Sequence, residues 1–320
     1  MNIKPNISVL MCVYNEEPLW LREAIESILN QTYSNFEFII TLDNPLNLEL
    51  DKIILDYKEK DNRIVYIKNK KNLGLIASLN NELAISKGIY IARMDADDIS
   101  LLKRLQIQLD FLKANPKVDL VGGNIMTIDE ASNILTDNHN NAPSDYKFIK
   151  IAMKYKSVFI HPTLMFKRKV AIDDRIEGYR DILYVEDYDF VCRFITNNFM
   201  VTNVKECLLK YRVRSTSVSR SNVLYQMKVK SYVIRLYKER LKGVTDSFSK
   251  VYIEGLKINE KEIKNFELSN KIAEKAIYYK NKKWFLNYSL LFLVSKLVNK
   301  NLFINSIRNT FYKLLYRIYT

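Results

Sequence analysis

What this chain has little of narrows it first. Its 320 residues include only 7 Gly and 6 Pro, so loops should be few and short, and disorder is not expected. Three cysteines, Cys12, Cys192 and Cys207, stand far apart and are odd in number. There is no CxxC pair and no Cys/His cluster, so neither a disulfide framework nor a zinc site is indicated. Cys12 lies in an apolar run and reads as a core residue, and the compartment reads as reducing. The apolar stretch at 7–13 is too short for a secretory signal, and it reads as a buried strand of a cytosolic protein. No run is long enough to span a bilayer. Acid is missing from the C-terminal end. After Glu274 there is none, against nine Lys/Arg.

What is present suggests two parts. Hydrophobic residues make up 48%, enough for a sizeable core, and the length suits one large domain with an appendage. The net charge of +14 is uneven: residues 221–320 hold 20 Lys/Arg against 7 Asp/Glu. A balanced domain over 1–218 and a basic helical region over 219–320 are expected, with a boundary near the Ser-rich stretch at 215–222.

Short apolar runs alternate with amphipathic segments through the first 125 residues. Strands are expected at 7–13, 36–42, 64–68, 90–94 and 118–122. Helices are expected from Pro18, over 48–60, over 75–87 with Gly88 as C-terminal glycine, and over 101–114 before Pro116. This alternation predicts an α/β fold, a mostly parallel sheet covered by helices on both faces. Beyond Gly123 the pattern loosens. A helix is expected over 145–155, strand-like runs at 158–166 and 208–213, and a helix opening at 184–189 and reaching 197.

Ligands of an open α/β sheet bind outside the carboxyl ends of its strands. Those ends carry Val13-Tyr14-Asn15-Glu16, Asp43-Asn44-Pro45, Asn69 to Gly74, and Asp95-Ala96-Asp97-Asp98. Three carboxylates at one strand end repel, and a hard divalent cation relieves that cost through oxygen ligands. Helix capping by Asp98 is the plainer account of one of the acids, but it does not cover Asp95 and Asp97 together.

Five segments in order carry a resemblance. They are Ser8 to Asn15 (SVLMCVYN), Ala24 to Tyr33 (AIESILNQTY), Asn72-Leu73-Gly74-Leu75, Ala92 to Asp98 (ARMDADD) and Glu186-Asp187. On these the chain resembles the family 2 glycosyltransferases of GT-A fold that build bacterial surface polysaccharides, over about residues 5–215.

The resemblance implies an inverting transfer from a nucleotide-sugar, expected to be a UDP-sugar, with Mn²⁺ or Mg²⁺ as cofactor. Residues 1–125 would form the nucleotide-sugar half and 126–218 the acceptor half. Val13, Tyr14 and Asn15 would shape the nucleotide pocket. Asp43 would hydrogen-bond the base, and Asn72 would lie beside it. Asp95 would contact ribose or metal, and Asp97 would bind the metal. Glu186 and Asp187 would face the acceptor, with Asp187 as general base. His161 is a further candidate near the diphosphate, with a structural hydrogen-bonding role as the alternative. Arg193 reads as a salt-bridge partner for nearby acids, and His139 as an exposed turn residue. Two departures stand out. Only the second acid of the usual pair after strand two is kept, as Asp43. Where many members carry an Arg near the diphosphate, this chain has Leu79. Compensating charge then falls to Arg93, Lys71, a basic residue of the tail, or the metal alone.

The tail, 277–320, mixes aromatics with cations. Such helices lie at a membrane interface, or form a bundle packed on the domain or on a second copy. No nucleic-acid motif accompanies the charge. The expected acceptor is a growing glycan, free or lipid-linked, reached at the inner face of the cell membrane. A nucleotidyltransferase would want a Gly-rich basic loop after the first strand, where Val13-Tyr14-Asn15-Glu16 stands instead. An inactive scaffold would not need Asp95, Asp97 and Asp187.

Overall fold

The computed structural model describes residues 4–136, 142–214, 222–281 and 284–319. The chain divides into two compact units, Met1–Lys150 with Ser157–Ser215 and Ile151–Lys156 with Thr216–Thr320. Most of the boundary stretch at 215–222 lies outside the described residues, as does His139.

In the first unit, β1 (Ile7–Val13) and β2 (Phe36–Leu42) are apolar along nearly their whole length because both sheet faces are covered. Between them α1 (Pro18–Leu29) opens on a proline, whose missing N–H falls where no helical partner exists. Its buried side is Leu21, Ala24, Ile25 and Ile28. Next, α2 (Leu48–Lys60) is capped by Asn47, whose side chain accepts from the Leu50 N–H at 3.1 Å. Then come β3 (Ile64–Lys68), α3 (Leu75–Ile85), β4 (Tyr90–Arg93), β5 (Ile99–Ser100), α4 (Arg104–Ala114), β6 (Val118–Ile128) and β7 (Ile134–Thr136). The unit is completed by α5 (Tyr146–Ala152, whose end passes into the second unit), a 3-10 turn at His161–Thr163, β8 (Met165–Lys167), α6 (Arg168–Ala171), α7 (Glu186–Thr196) and β9 (Met200–Arg212).

The strand order is β3-β2-β1-β4-β8-β6-β9-β5, with β7 on β6. The first four strands are mutually parallel, with Val13 opposite Leu42 and Leu10 opposite Arg93. Their carboxyl ends therefore share one edge of the sheet. Beyond them, β8 runs antiparallel between β4 and β6, and β9 lies parallel to β6.

Several expectations need correcting. Helix α3 stops at Ile85, and Gly88 is no helix cap. A Cβ on Gly88 would lie 2.4 Å from the Ser8 backbone nitrogen, so glycine is there for close approach. Helix α4 starts at Arg104, because 99–100 are drawn into the sheet as β5, paired with β9. The apolar run at 158–166 is mostly not a strand. His161-Pro162-Thr163 coils into a 3-10 turn, and only Met165–Lys167 pairs. The fifth main strand, β6, extends to Ile128, past its expected end at Gly122.

The second unit contains α8 (Val223–Leu241), α9 (Lys250–Glu254), α10 (Glu260–Asn281), α11 (Phe285–Val298) and α12 (Lys300–Tyr319). It is helical, as expected. Among the described residues no helix is long and apolar enough to cross a membrane.

Candidate active site

The chain leaves β4 beside β1, where the Met94 N–H donates to the Leu10 carbonyl at 3.0 Å. That pairing delivers Asp95, Asp97 and Asp98 to the carboxyl edge of the sheet. One carboxylate oxygen from each lies within 4.8 Å of the others. Asp95 pairs with Arg93 at 2.6 Å and Asp97 with Arg214 at 2.8 Å. Asp98 is buried and accepts the Arg212 N–H at 2.8 Å, while its second oxygen has no partner. It therefore ties β9 to the cluster and does not cap α4, whose N-cap is Lys103.

Burial, with the charge of Asp95 added, pushes the Asp97 carboxyl up to about 6. Burial and the charges of Asp97 and Asp95 raise Asp98 as well. Burial and neighbouring carboxylate charge disfavour the ionised forms of Asp97 and Asp98, so a positive charge here stabilises the site. The donors are hard carboxylate oxygens, which suits Mg²⁺ or Mn²⁺ rather than a thiophilic ion. The residues fit such a cation, with one buried oxygen of Asp98 still unpartnered.

The sequence reading missed the arginines at the end of β9. Arg212 donates from Nε to the Asp97 carbonyl at 2.8 Å and from Nη2 to Glu23 at 2.6 Å. Arg212 and Arg214 both lie against the Trp20 ring, with 5.2 and 5.8 Å from guanidinium carbon to ring centroid. A signal was available: Arg212 ends β9 and Arg214 follows it at i+2, the spacing of one face in extended chain. Lys71, a candidate for the compensating charge, is exposed, and Leu79 is fully buried in the core.

At the ends of β1 to β3 the predicted nucleotide residues gather. Val13 is buried, and Tyr14 is 45% exposed just beyond it. The Asn15 side-chain oxygen accepts from Asn44 at 2.6 Å. Burial raises the Glu16 carboxyl, the Tyr14 N–H opposes the rise, and the charge of Asp97 adds to it. Asp43 is buried and accepts three hydrogen bonds: from Asn69 Nδ2 at 2.7 Å, and from the Leu73 and Gly74 N–H groups at 2.8 Å each. It thus organises the loop that presents Asn72, whose own side chain accepts from the Gly74 N–H at 2.8 Å. Gly74 turns there at φ +84°, a left-handed conformation that favours glycine.

Helix α7 supplies a second pair of acids, Glu186 and Asp187, in its first turn. Tyr184 precedes it at φ +72°, a strained conformation for a bulky residue and of the kind found at functional sites. Glu186 is buried with one oxygen unpartnered, and Asp187 beside it is half-buried. Burial and then the charge of Asp187 push Glu186 up to about 8, so at neutral pH it is mostly an uncharged acid. The helix is fixed by Arg193, which pairs with Asp189 at 2.7 Å inside the core and donates to the carbonyls of Ile176 and Gly178. His161 Nε2 lies 3.1 Å from the Tyr179 hydroxyl, and the Asn80 side chain clamps the Tyr179 backbone through two bonds of 2.8 Å. Burial, then the charge of Arg93, holds the His161 imidazole well below its ordinary range, so it is neutral.

Arg93 links these groups. It is buried, bonded to Asp95, and close enough to Glu82, Tyr179 and Glu186 for their charges to interact. The structure thus brings Arg93, Asp95, Asp97, His161, Glu186 and Asp187 together. Val13, Tyr14, Asn15, Asp43 and Asn72 stand along the neighbouring strand ends.

The model of the family described as "Glycosyl transferase family 2" matches residues 8–175, more than half of the chain. The chain belongs to glycosyl transferase family 2. A Methanocaldococcus jannaschii protein described as an uncharacterized glycosyltransferase, MJ1057, is 38% identical over 79% of this chain and 87% of its own length. The Escherichia coli O-antigen biosynthesis glycosyltransferase WbnJ is 35% identical over 79% of this chain and 96% of its own. A crystal structure of S. aureus TarS 1–349 in complex with UDP-GlcNAc superposes with a TM-score of 0.59 at 15% identity, covering 92% of each chain. The glycosyltransferase has the GT-A fold, and the acid cluster, Asp43 and its loop, and the start of α7 occupy the carboxyl edge of its sheet.

Proposed function

We propose that this glycosyltransferase is an inverting, metal-dependent enzyme. It moves a hexosyl or N-acetylhexosaminyl group from a UDP-sugar to a glycan acceptor in surface-polysaccharide synthesis. The observation that carries this is that two acid sets converge on the buried Arg93. Asp95 and Asp97 lie at the end of β4, and Glu186 and Asp187 open α7, with Glu186 within electrostatic reach of both Arg93 and Asp95. The resemblance to WbnJ and the UDP-GlcNAc bound in TarS support the pathway class and the donor.

In this reading Asp97 and Asp95 hold Mn²⁺ or Mg²⁺, which when bound neutralises the diphosphate leaving group as a Lewis acid. Asp43 and Asn72 receive the base, and Val13, Tyr14 and Asn15 form the wall of its pocket. Asp187, the more exposed of its pair, takes the proton from the acceptor hydroxyl. A neutral Glu186 beside it keeps the carboxylate charge on Asp187 alone. Attack from the α7 side, opposite the diphosphate, gives inversion. His161 stays neutral and hydrogen-bonded to Tyr179, bordering the diphosphate. Residues 1–125 serve the donor and 126–218 the acceptor, and the basic region after 218 keeps the enzyme at the inner face of the membrane, near a lipid-linked glycan.

The test is a screen of UDP-sugars with Mn²⁺, read as UDP release and as a rise in melting temperature. A uridine nucleotide should stabilise the wild type, and Asp97→Ala should abolish turnover. No response to any uridine nucleotide would overturn the donor assignment. Release of pyrophosphate from UTP and a sugar phosphate would favour a nucleotidyltransferase, and binding without turnover a scaffold. The anomeric configuration of the product, read by NMR, tests inversion.

A further inference from the structure

The C-terminal hairpin leaves a row of large apolar side chains exposed. Not one residue of α12 is buried. Phe303, Ile307, Phe311, Leu314 and Ile318 are 36, 40, 50, 55 and 70% exposed. Steps of three and four place these five on one helix face. Leu290, Leu293 and Leu297 of α11 are likewise more than half exposed. Between the two helices runs an apolar groove of about 550 Å³, lined by Phe292, Leu293, Phe303, Ile307 and Phe311 among others. The hairpin is not a loose end. The Ser269 hydroxyl donates to the Ser295 carbonyl, Arg308 donates to the Ser231 hydroxyl at 3.0 Å, and Tyr155 stacks on Phe311 with centroids 6.0 Å apart.

An apolar face of this extent marks an interaction surface, and charge decides what covers it. From Lys275 onward the segment has nine Lys/Arg and no Asp/Glu. Lys300, Lys313 and Arg317 of α12 are exposed. A second copy seated on this face would set two acid-free cationic surfaces together across an apolar contact, where like charges repel most. An anionic bilayer satisfies both features at once: aromatics and aliphatics enter the interface, and cations meet headgroups.

We propose that the α11–α12 hairpin is a lipid-docking surface for anionic phospholipid, with the Phe303–Ile307–Leu314–Ile318 face in the acyl boundary and Lys300, Lys313 and Arg317 at the headgroups. This gives a surface to the membrane contact in the functional reading above, and rests on that reading only for its purpose. The geometry of the hairpin stands apart from the chemistry at Asp97.

The experiment is vesicle flotation of the full chain with zwitterionic and with anionic phospholipid. Binding to anionic vesicles should be at least about tenfold tighter, and should weaken as salt rises. Ile307→Glu with Leu314→Glu should abolish flotation while leaving melting temperature and UDP-sugar turnover on a soluble acceptor unchanged. Failure of the wild type to float on anionic vesicles overturns the proposal, as does equal flotation by the double variant. A concentration-dependent dimer dispersed by these substitutions, with no vesicle binding, assigns the face to a second copy instead. An active enzyme that does not float refutes the docking surface alone, and a floating protein without turnover refutes the reaction alone.

Discussion

Arg214 and Asp97 form a salt bridge with 2.8 Å between Nε and Oδ2, joining the end of β9 to the acid cluster after β4. A divalent cation and this guanidinium are rivals for the same carboxylate. Arg214→Gln should therefore tighten Mn²⁺ binding in the absence of nucleotide by about tenfold, or ~1.4 kcal/mol. On the proposed donor site it should also raise the KM for nucleotide-sugar, since a cation paired with Asp97 is lost. Calorimetric titration of Mn²⁺ into both proteins checks the first effect. Unchanged affinity would mean the bridge does not compete.

The two acids at the start of α7 should separate in their kinetics. On the proposed mechanism Asp187 is the general base, so Asp187→Asn should lower kcat by about 10² to 10⁴, with donor KM little changed. Glu186 is mostly uncharged at neutral pH because burial pushes it up to about 8. Glu186→Gln should thus keep the fold and lose far less activity. Steady-state kinetics of the two variants decide this, and equal losses would contradict the assignment.

Glu82 of α3 is fully buried, and neither of its oxygens has a well-formed hydrogen bond, although Thr41 and Cys12 lie beside it. Burial pushes it up to about 7, against the attraction of Arg93. A raised carboxyl favours the protonated folded state. Its contribution is complete below the unfolded value of 4.5 and is lost as pH rises through about 7. The difference amounts to about 3 kcal/mol at most. Urea unfolding of wild type and Glu82→Gln between pH 5 and 8 should show the wild type losing stability relative to the variant. Parallel pH profiles would exclude it.

Asp43 holds its loop through three bonds to a single carboxylate. Asparagine keeps one acceptor oxygen, so Asp43→Asn should cost about 2 kcal/mol. The 69–74 amides should then exchange faster, and uridine nucleotide affinity should fall. Hydrogen exchange and a nucleotide titration measure the two effects, and protection as in the wild type would contradict the loop role.

Most strands and helices of residues 1–125 were readable because local signals agreed with tertiary demands. Ile7–Val13 and Phe36–Leu42 are apolar along nearly their whole length, and Pro18 opens α1. The run at 158–166 was misread because apolar character reports burial and not backbone shape, and Pro162 cannot donate to a ladder. Asp98 was misread for a different reason. Its helix-cap position is a local pattern, while its real partner, the Arg212 N–H, comes from a strand over a hundred residues later.

By itself the sequence determined the family, the parallel half of the sheet and the acids at its carboxyl edge. These follow from apolar periodicity and from motifs that are continuous in the chain. Only the tertiary structure decided which charges meet there. Arg212 and Arg214 reach Asp97 because β9 lies beside β6 and β5, and Glu186 comes within electrostatic reach of Asp95 and the buried Arg93. Those relations join segments far apart in sequence, and a charge acts through distance in space, which composition and spacing do not carry.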